Sequence, residues 1–289
     1  MRHLTEHWTF DPFLLIAILL AAWYQIGLAR LRRGDPASAG PWRRRTVLLY
    51  LGFAVVLIAV ESPINYWADE YFYVHMVQHL LLMFAAPTLI VAAAPWRPLL
   101  AALPGGAVTS RWTRPLRAAV GWLLRPWVSV AVFNVVMLSW HVPALLDLSV
   151  RDAAVRVWLA HTTYLAAGLL FWLQFIGSPP VRRRMALTSQ ALALIATNII
   201  MWILAMAMGI LTTVSWYSVY NHVRGVTLPA FADQQIGAGI LWICGDFWAI
   251  PTLVFVIRQL ISEDGGIGSA VDHILGRGGS RRYEWANRS

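Results

Sequence analysis

Seven runs of this chain are apolar enough, and long enough at roughly 17 to 25 residues, to cross a hydrocarbon core of about 30 Å as helices. They lie near residues 13–29, 46–64, 74–94, 127–146, 155–176, 187–212 and 236–258. Hydrocarbon offers no water to backbone amides, so each run must satisfy its own, which a helix does. The expected fold is therefore all-α, an integral membrane bundle of seven transmembrane helices. One membrane domain covers 1–264, and a mobile basic tail covers 265–289. Composition agrees: 58% of the 289 residues are hydrophobic and 13% charged, a balance too apolar for a water-soluble globule.

The net charge of +9 raises the question of nucleic acid, and its distribution argues against it. Of 23 basic residues, all arginine, 19 fall on alternate sides of the seven runs: Arg30 to Arg45, Arg97 to Arg125, Arg182 to Arg184, and Arg258 to Arg288. Only Arg2, Arg151, Arg156 and Arg224 lie opposite. The positive-inside rule then places the amino terminus outside and the carboxyl terminus in the cytoplasm. The expected location is a bacterial plasma (inner) membrane, crossed several times, with phospholipid headgroups as counter-charge. Between residues 95 and 126, Arg alternates with Trp and Leu in a way that suits a short helix lying in the inner interface. The first run follows Asp11 and Pro12 and ends in ARLRR, so it reads as a retained span and not as a cleaved signal.

With that orientation the histidines sort by side. His3, His7, His75, His79, His141, His161 and His222 belong to the outer half; only His273 is cytoplasmic. His3, His7, His222 and His273 read as interfacial residues with one wet nitrogen. HMVQHLLLM, residues 75–83, places His75, His79 and Met83 at four-residue steps, one face of an α-helix. An i, i+4 histidine pair can present two nitrogens to one ion about 2 Å from each. His161 lies one to two turns into the fifth run, where an ionisable group faces either a cavity or a hydrogen-bonding neighbour. In SWHVP, Pro143 deprives the Ser139 carbonyl of its helical amide, which either aims His141 into the bundle or simply ends the helix. Thioethers beside imidazoles favour copper; Met83, in register, and Met76, adjacent, qualify.

Other chemistries are excluded. The chain has no Lys, hence no Schiff-base retinal. It has no GxxxxGK[ST], GxGxxG or HExxH motif, hence none of the usual phosphate cradles or a zincin site. Its one cysteine, Cys244, forms no CxxC and reads as buried filler. Asp246, near mid-membrane in CGDFWAIP, is either a neutral carboxyl bonded to Asn198 or part of a proton or ion path.

Four segments in order, HMVQHLLLMFAAP (75–87), SWHVPALLDLSV (139–150), HTTYLAAGLLFW (161–172) and DQQIGAGILW (233–242), resemble the seven-span CtaG family of bacterial assembly factors for caa-type cytochrome c oxidase. The likeness covers about residues 45–260. The matching positions are His75, His79, His141, His161, Asp233, Gln234 and Gln235. It implies a non-enzymatic assembly factor that supplies copper to a haem-copper oxidase subunit, fed by a soluble copper donor on the outer side. On this reading His75, His79, His141 and His161 hold the metal. Met76, Met83 and Gln234 stand as further ligands or support, and Asp233 orients a ligating histidine. A single-span copper chaperone with the same label depends on a cysteine pair, which is absent here. Two alternatives stay open: a copper or other ion transporter using Asn198 and Asp246, and a membrane b-type cytochrome with paired histidine axial ligands.

Overall fold

The computed structural model describes residues 7–34, 39–105, 110–181, 185–222 and 228–264. The expected tail at 265–289, with His273, and the leading His3 lie outside the described residues, as does the side chain of His222. The chain runs through α1 (Pro12–Gly34), α2 (Ala39–Glu61), α3 (Pro63–Glu70), α4 (Phe72–Leu80), α5 (Ala86–Ala93) and α6 (Trp96–Ala101). It continues through α7 (Arg114–Leu123), α8 (Pro126–Trp140), α9 (Pro143–Arg151), α10 (Thr162–Phe175), α11 (Leu187–Gly209) and α12 (Ala230–Asp264). Several begin on proline, as α3, α8 and α9 do. A first-turn residue has no helical carbonyl to donate to, so the missing N–H is harmless there.

Two wide π turns interrupt the α pattern. Leu81–Ala85 joins α4 to α5, and Val155–His161 leads into α10. The first matters for the expected ladder: a π turn holds more than four residues, so Met83 no longer follows His79 in strict register. Pro87 then leaves the Met83 carbonyl without its amide donor. Trp172 of α10 supplies one, its indole Nε1 donating to that oxygen at 3.2 Å. Trp172→Phe is expected to lower stability by about 1–2 kcal/mol, the cost of a buried carbonyl left unbonded. Thermal unfolding in detergent checks it, and an unchanged midpoint would contradict this account of the bend.

The continuous helix Phe72–Ala93 is the centre of the bundle: 61% of its most apolar window is buried, against 22% for α1, 33% for α11 and 17% for α12. It packs on α2, α10 and α12, with α3 against its start and α8 crossing α10. Close approach needs glycine at several of these contacts, Gly168 and Gly237 among them. A Cβ at Gly168 would stand 2.5 Å from the Met83 carbonyl oxygen, and one at Gly237 the same distance from the Phe72 ring.

Among the described residues, four helices are long and apolar enough to cross a membrane: α1, Phe72–Ala93, α11 and Ala230–Gln259. Counting two bent pairs as one span each raises this to six, so the expected seven are not reached. The second run breaks at Ser62, where α3 turns by 44°. The fourth ends at Trp140, and its 15-residue helix spans only about 22 Å at 1.5 Å per residue. The fifth is helical, but Arg156, His161, Thr162 and Thr163 dilute its apolar character.

Candidate functional site

α4 and α10 begin, and α8 ends, at the same end of the bundle, which brings together histidines far apart in sequence. His75 and His79, one turn apart on α4, have ring centroids 4.1 Å apart. His75 lies edge-on to Tyr220, at 6.5 Å between centroids, and the Tyr220 hydroxyl donates to the Ala68 carbonyl at 2.9 Å. His79 rests against the Tyr164 ring of α10 at 4.0 Å and approaches His141 at 6.0 Å.

His141 owes its position to Pro143. α8 stops at Trp140, α9 starts at Pro143, and the imidazole folds back so that its Nδ1 meets the Met137 carbonyl at 2.6 Å. A carbonyl only accepts, so Nδ1 carries the proton and Nε2 is left as a bare lone pair. Tyr217 fixes the same turn from above, its hydroxyl donating to the His141 carbonyl at 3.1 Å.

His161 closes the second π turn and faces Phe13 of α1, with centroids 6.1 Å apart. All four histidines are buried, at 4%, 5%, 4% and 1% exposure for His75, His79, His141 and His161. Three of them have a buried nitrogen with no hydrogen-bond partner among the described residues: His79 Nδ1, His141 Nε2 and His161 Nδ1. Such atoms are rare in native interiors and ask for an explanation, an ion or water among them. Two imidazoles whose centroids lie 6.0 Å apart suit an ion held about 2 Å from one nitrogen of each. Among the described residues, no three His, Cys, Asp or Glu side chains converge closely enough to enclose an ion.

The remaining expected residues are placed differently. Asp233 bonds backbone, and not a histidine: its two oxygens accept from the amides of Phe72 at 2.7 Å and Tyr73 at 2.9 Å. It caps α4 from α12 and so positions His75 and His79 indirectly. Gln234 is spent on structure, accepting from Trp216 N at 2.6 Å and donating to the Met208 carbonyl at 2.8 Å. Gln235 donates to the Gly209 carbonyl. Met76 and Met83 are both buried, Met76 against Gly237. Asp246 bonds Asn198, as one of its two readings holds, and accepts from Trp202 as well, both at 2.9 Å.

Four residues of the site were missed from sequence. Tyr164 sits one turn after His161, so helical spacing pointed to it. Arg156 and Asp69 form an ion pair at 2.6 Å between the second π turn and α3; an arginine on the histidine side of the chain was the available signal. Tyr217, between α11 and α12, carried none.

The family model described as cytochrome c oxidase caa3 assembly factor (Caa3_CtaG) matches residues 22–263. The chain is 27% identical over 92% of its length to Uncharacterized protein Mb0105 of Mycobacterium bovis and to Uncharacterized protein MT0111 of Mycobacterium tuberculosis. Uncharacterized protein ML1998 of Mycobacterium leprae is 26% identical over 89% of the chain. The chain spans only 40–41% of the length of these curated relatives. No solved structure matches.

Proposed function

Because this chain belongs to the cytochrome c oxidase caa3 assembly factor family, we propose that it holds copper in its buried histidine cluster and passes it to a haem-copper oxidase subunit. Copper is cargo in this reading, and the protein is no enzyme. The observation that carries it is the set of three unpartnered imidazole nitrogens on His79, His141 and His161 at one end of the bundle. Each such atom costs about 1–3 kcal/mol when unbonded, a penalty that a bound ion relieves. Imidazole is a good copper ligand, and thioether favours the monovalent state.

The four histidines have distinct parts. His79 and His141 are the pair best spaced to share an ion, and the Met137 carbonyl keeps the His141 Nε2 lone pair free for it. His75, in contact with His79, and His161 join by rotating toward them. Asp233 acts as a positioning residue through the α4 cap. In this reading the histidine end faces the extracytoplasmic side of a bacterial plasma membrane and the carboxyl terminus lies inside, which the distribution of arginines along the sequence supports. There a soluble donor would load the site and the oxidase subunit would empty it.

The test is metal content after purification. Wild type is expected to retain copper, and His75→Ala/His79→Ala to lose most of it with helical content unchanged. Equal copper in both would end this reading, and a Soret band in the wild type would replace it with the b-type cytochrome.

A further inference from the structure

At the end of α8 opposite His141, the chain makes a right-angled elbow, and among the described residues the helix before it is left without a covering layer. The helical stretch Arg111–Leu123, which contains α7, lies at 81° to α8. No residue of α7 is buried. Trp112, Leu116, Val120 and Trp122 are among the large exposed apolar side chains of the molecule. Leu116, Val120 and Leu123 recur at i, i+4 and i+7, so they share one face; Arg114 falls on the other. Arg111, Arg114 and Arg125 are all exposed.

The elbow is built by buried polar groups. The Ser129 hydroxyl donates to the Leu123 carbonyl at 2.7 Å. The Gln174 amide of α10 donates to Ser129 Oγ at 3.0 Å and to the Leu124 carbonyl at 3.5 Å. Ser129 and Gln174 are 0% and 2% exposed. These bonds satisfy carbonyls that the end of α7 leaves without amide donors. They also fix its direction: if α8 crosses the bilayer, α7 must lie along its surface.

We infer that α7 is an in-plane interfacial helix: Arg114, with Arg111 and Arg125 at its two ends, binds the headgroups of anionic phospholipids while Leu116 and Val120 enter the acyl boundary. The charge sign selects the lipid. Three exposed guanidiniums beside an apolar stripe match a surface that carries phosphate and a net negative charge, and guanidinium pairs with phosphate bidentately. An acidic protein segment would satisfy the arginines but leave the apolar stripe in water.

The full chain in lipid nanodiscs, in a Cys244→Ser background, tests this. Spin labels on Leu116→Cys and Val120→Cys are expected to be reached by oxygen from the bilayer, and a label on Ala118→Cys by a water-soluble nickel chelate. Water-like accessibility at residues 116 and 120 would overturn the in-plane placement. Spin-labelled phosphatidylglycerol is expected to associate more strongly than spin-labelled phosphatidylcholine with the unlabelled background chain. That preference should fall roughly five-fold per arginine removed in Arg111→Gln, Arg114→Gln and Arg125→Gln. Equal association of the two lipids with the starting chain, or an unchanged preference in the triple variant, would overturn the headgroup reading. Ser129→Ala/Gln174→Leu adds a check on the elbow: its labels should lose the oxygen and nickel pattern, and retention of the pattern would contradict the role given to these bonds.

Discussion

Replacing Gly168 with valine is expected to leave little folded protein to purify. The Cβ alone would sit 2.5 Å from the Met83 carbonyl oxygen and 2.6 Å from Pro87 Cγ, inside contact distance of two groups that cannot swing away. The Met83 oxygen belongs to backbone and already accepts from Trp172; Pro87 is locked in the first turn of α5. Overpacking of a tight interior costs about 1–3 kcal/mol and occasionally more, and the clash here is with main chain, so the upper part of that range applies. The consequence reaches the histidines. Tyr164, Gly168 and Trp172 share one face of α10 by spacing, so pushing α10 off the central helix draws Tyr164 away from His79. Gel filtration of the detergent-solubilised protein reads the outcome, and a wild-type yield of monodisperse Gly168→Val would show that the contact yields more easily than this geometry allows.

Asp233→Ala is expected to cost about 2–3 kcal/mol and to weaken metal retention, although Asp233 touches no histidine. Its two oxygens bond consecutive amides at the start of α4, the role of an N-cap played by a side chain 161 residues away. Ordinary caps contribute about 0.5–2 kcal/mol. This one is charge-assisted and only 3% exposed, which raises the figure. Asp233→Asn keeps one acceptor and should lose about half as much. Thermal midpoints and copper content measured on the three proteins separate capping from ligation. A capping residue makes both fall together, with Asn between Asp and Ala. Loss of copper at an unchanged midpoint would mean that Asp233 acts on the metal itself.

Much of this was legible before any coordinates. The apolar runs announce helices because hydrocarbon leaves the backbone no other solution. The four-residue spacing puts His75 and His79 on one face, and their rings do lie 4.1 Å apart. Pro143 forces the end of α8 that turns His141 inward. Less legible were features that depend on a partner far along the chain. Asp233 stands beside two glutamines in a motif that looks like a ligand cluster, yet its oxygens go to the α4 amides and Gln234 goes to Trp216 and Met208. Polar residue types announce that a bond is needed without saying to what.

Local periodicity and side-chain chemistry, then, were enough to identify a helical membrane protein with a histidine pair on one helix face and arginines at the opposite ends of its helices. Tertiary structure alone decided that His79 meets His141 and Tyr164, that three imidazole nitrogens are buried without partners, and that π turns adjoin His79 and His161. The physical reason is that helix formation is settled within a few residues of backbone hydrogen bonding. Which faces meet, and where a helix must widen to let Gly168 and Trp172 close on it, is settled by the packing of segments tens of residues apart.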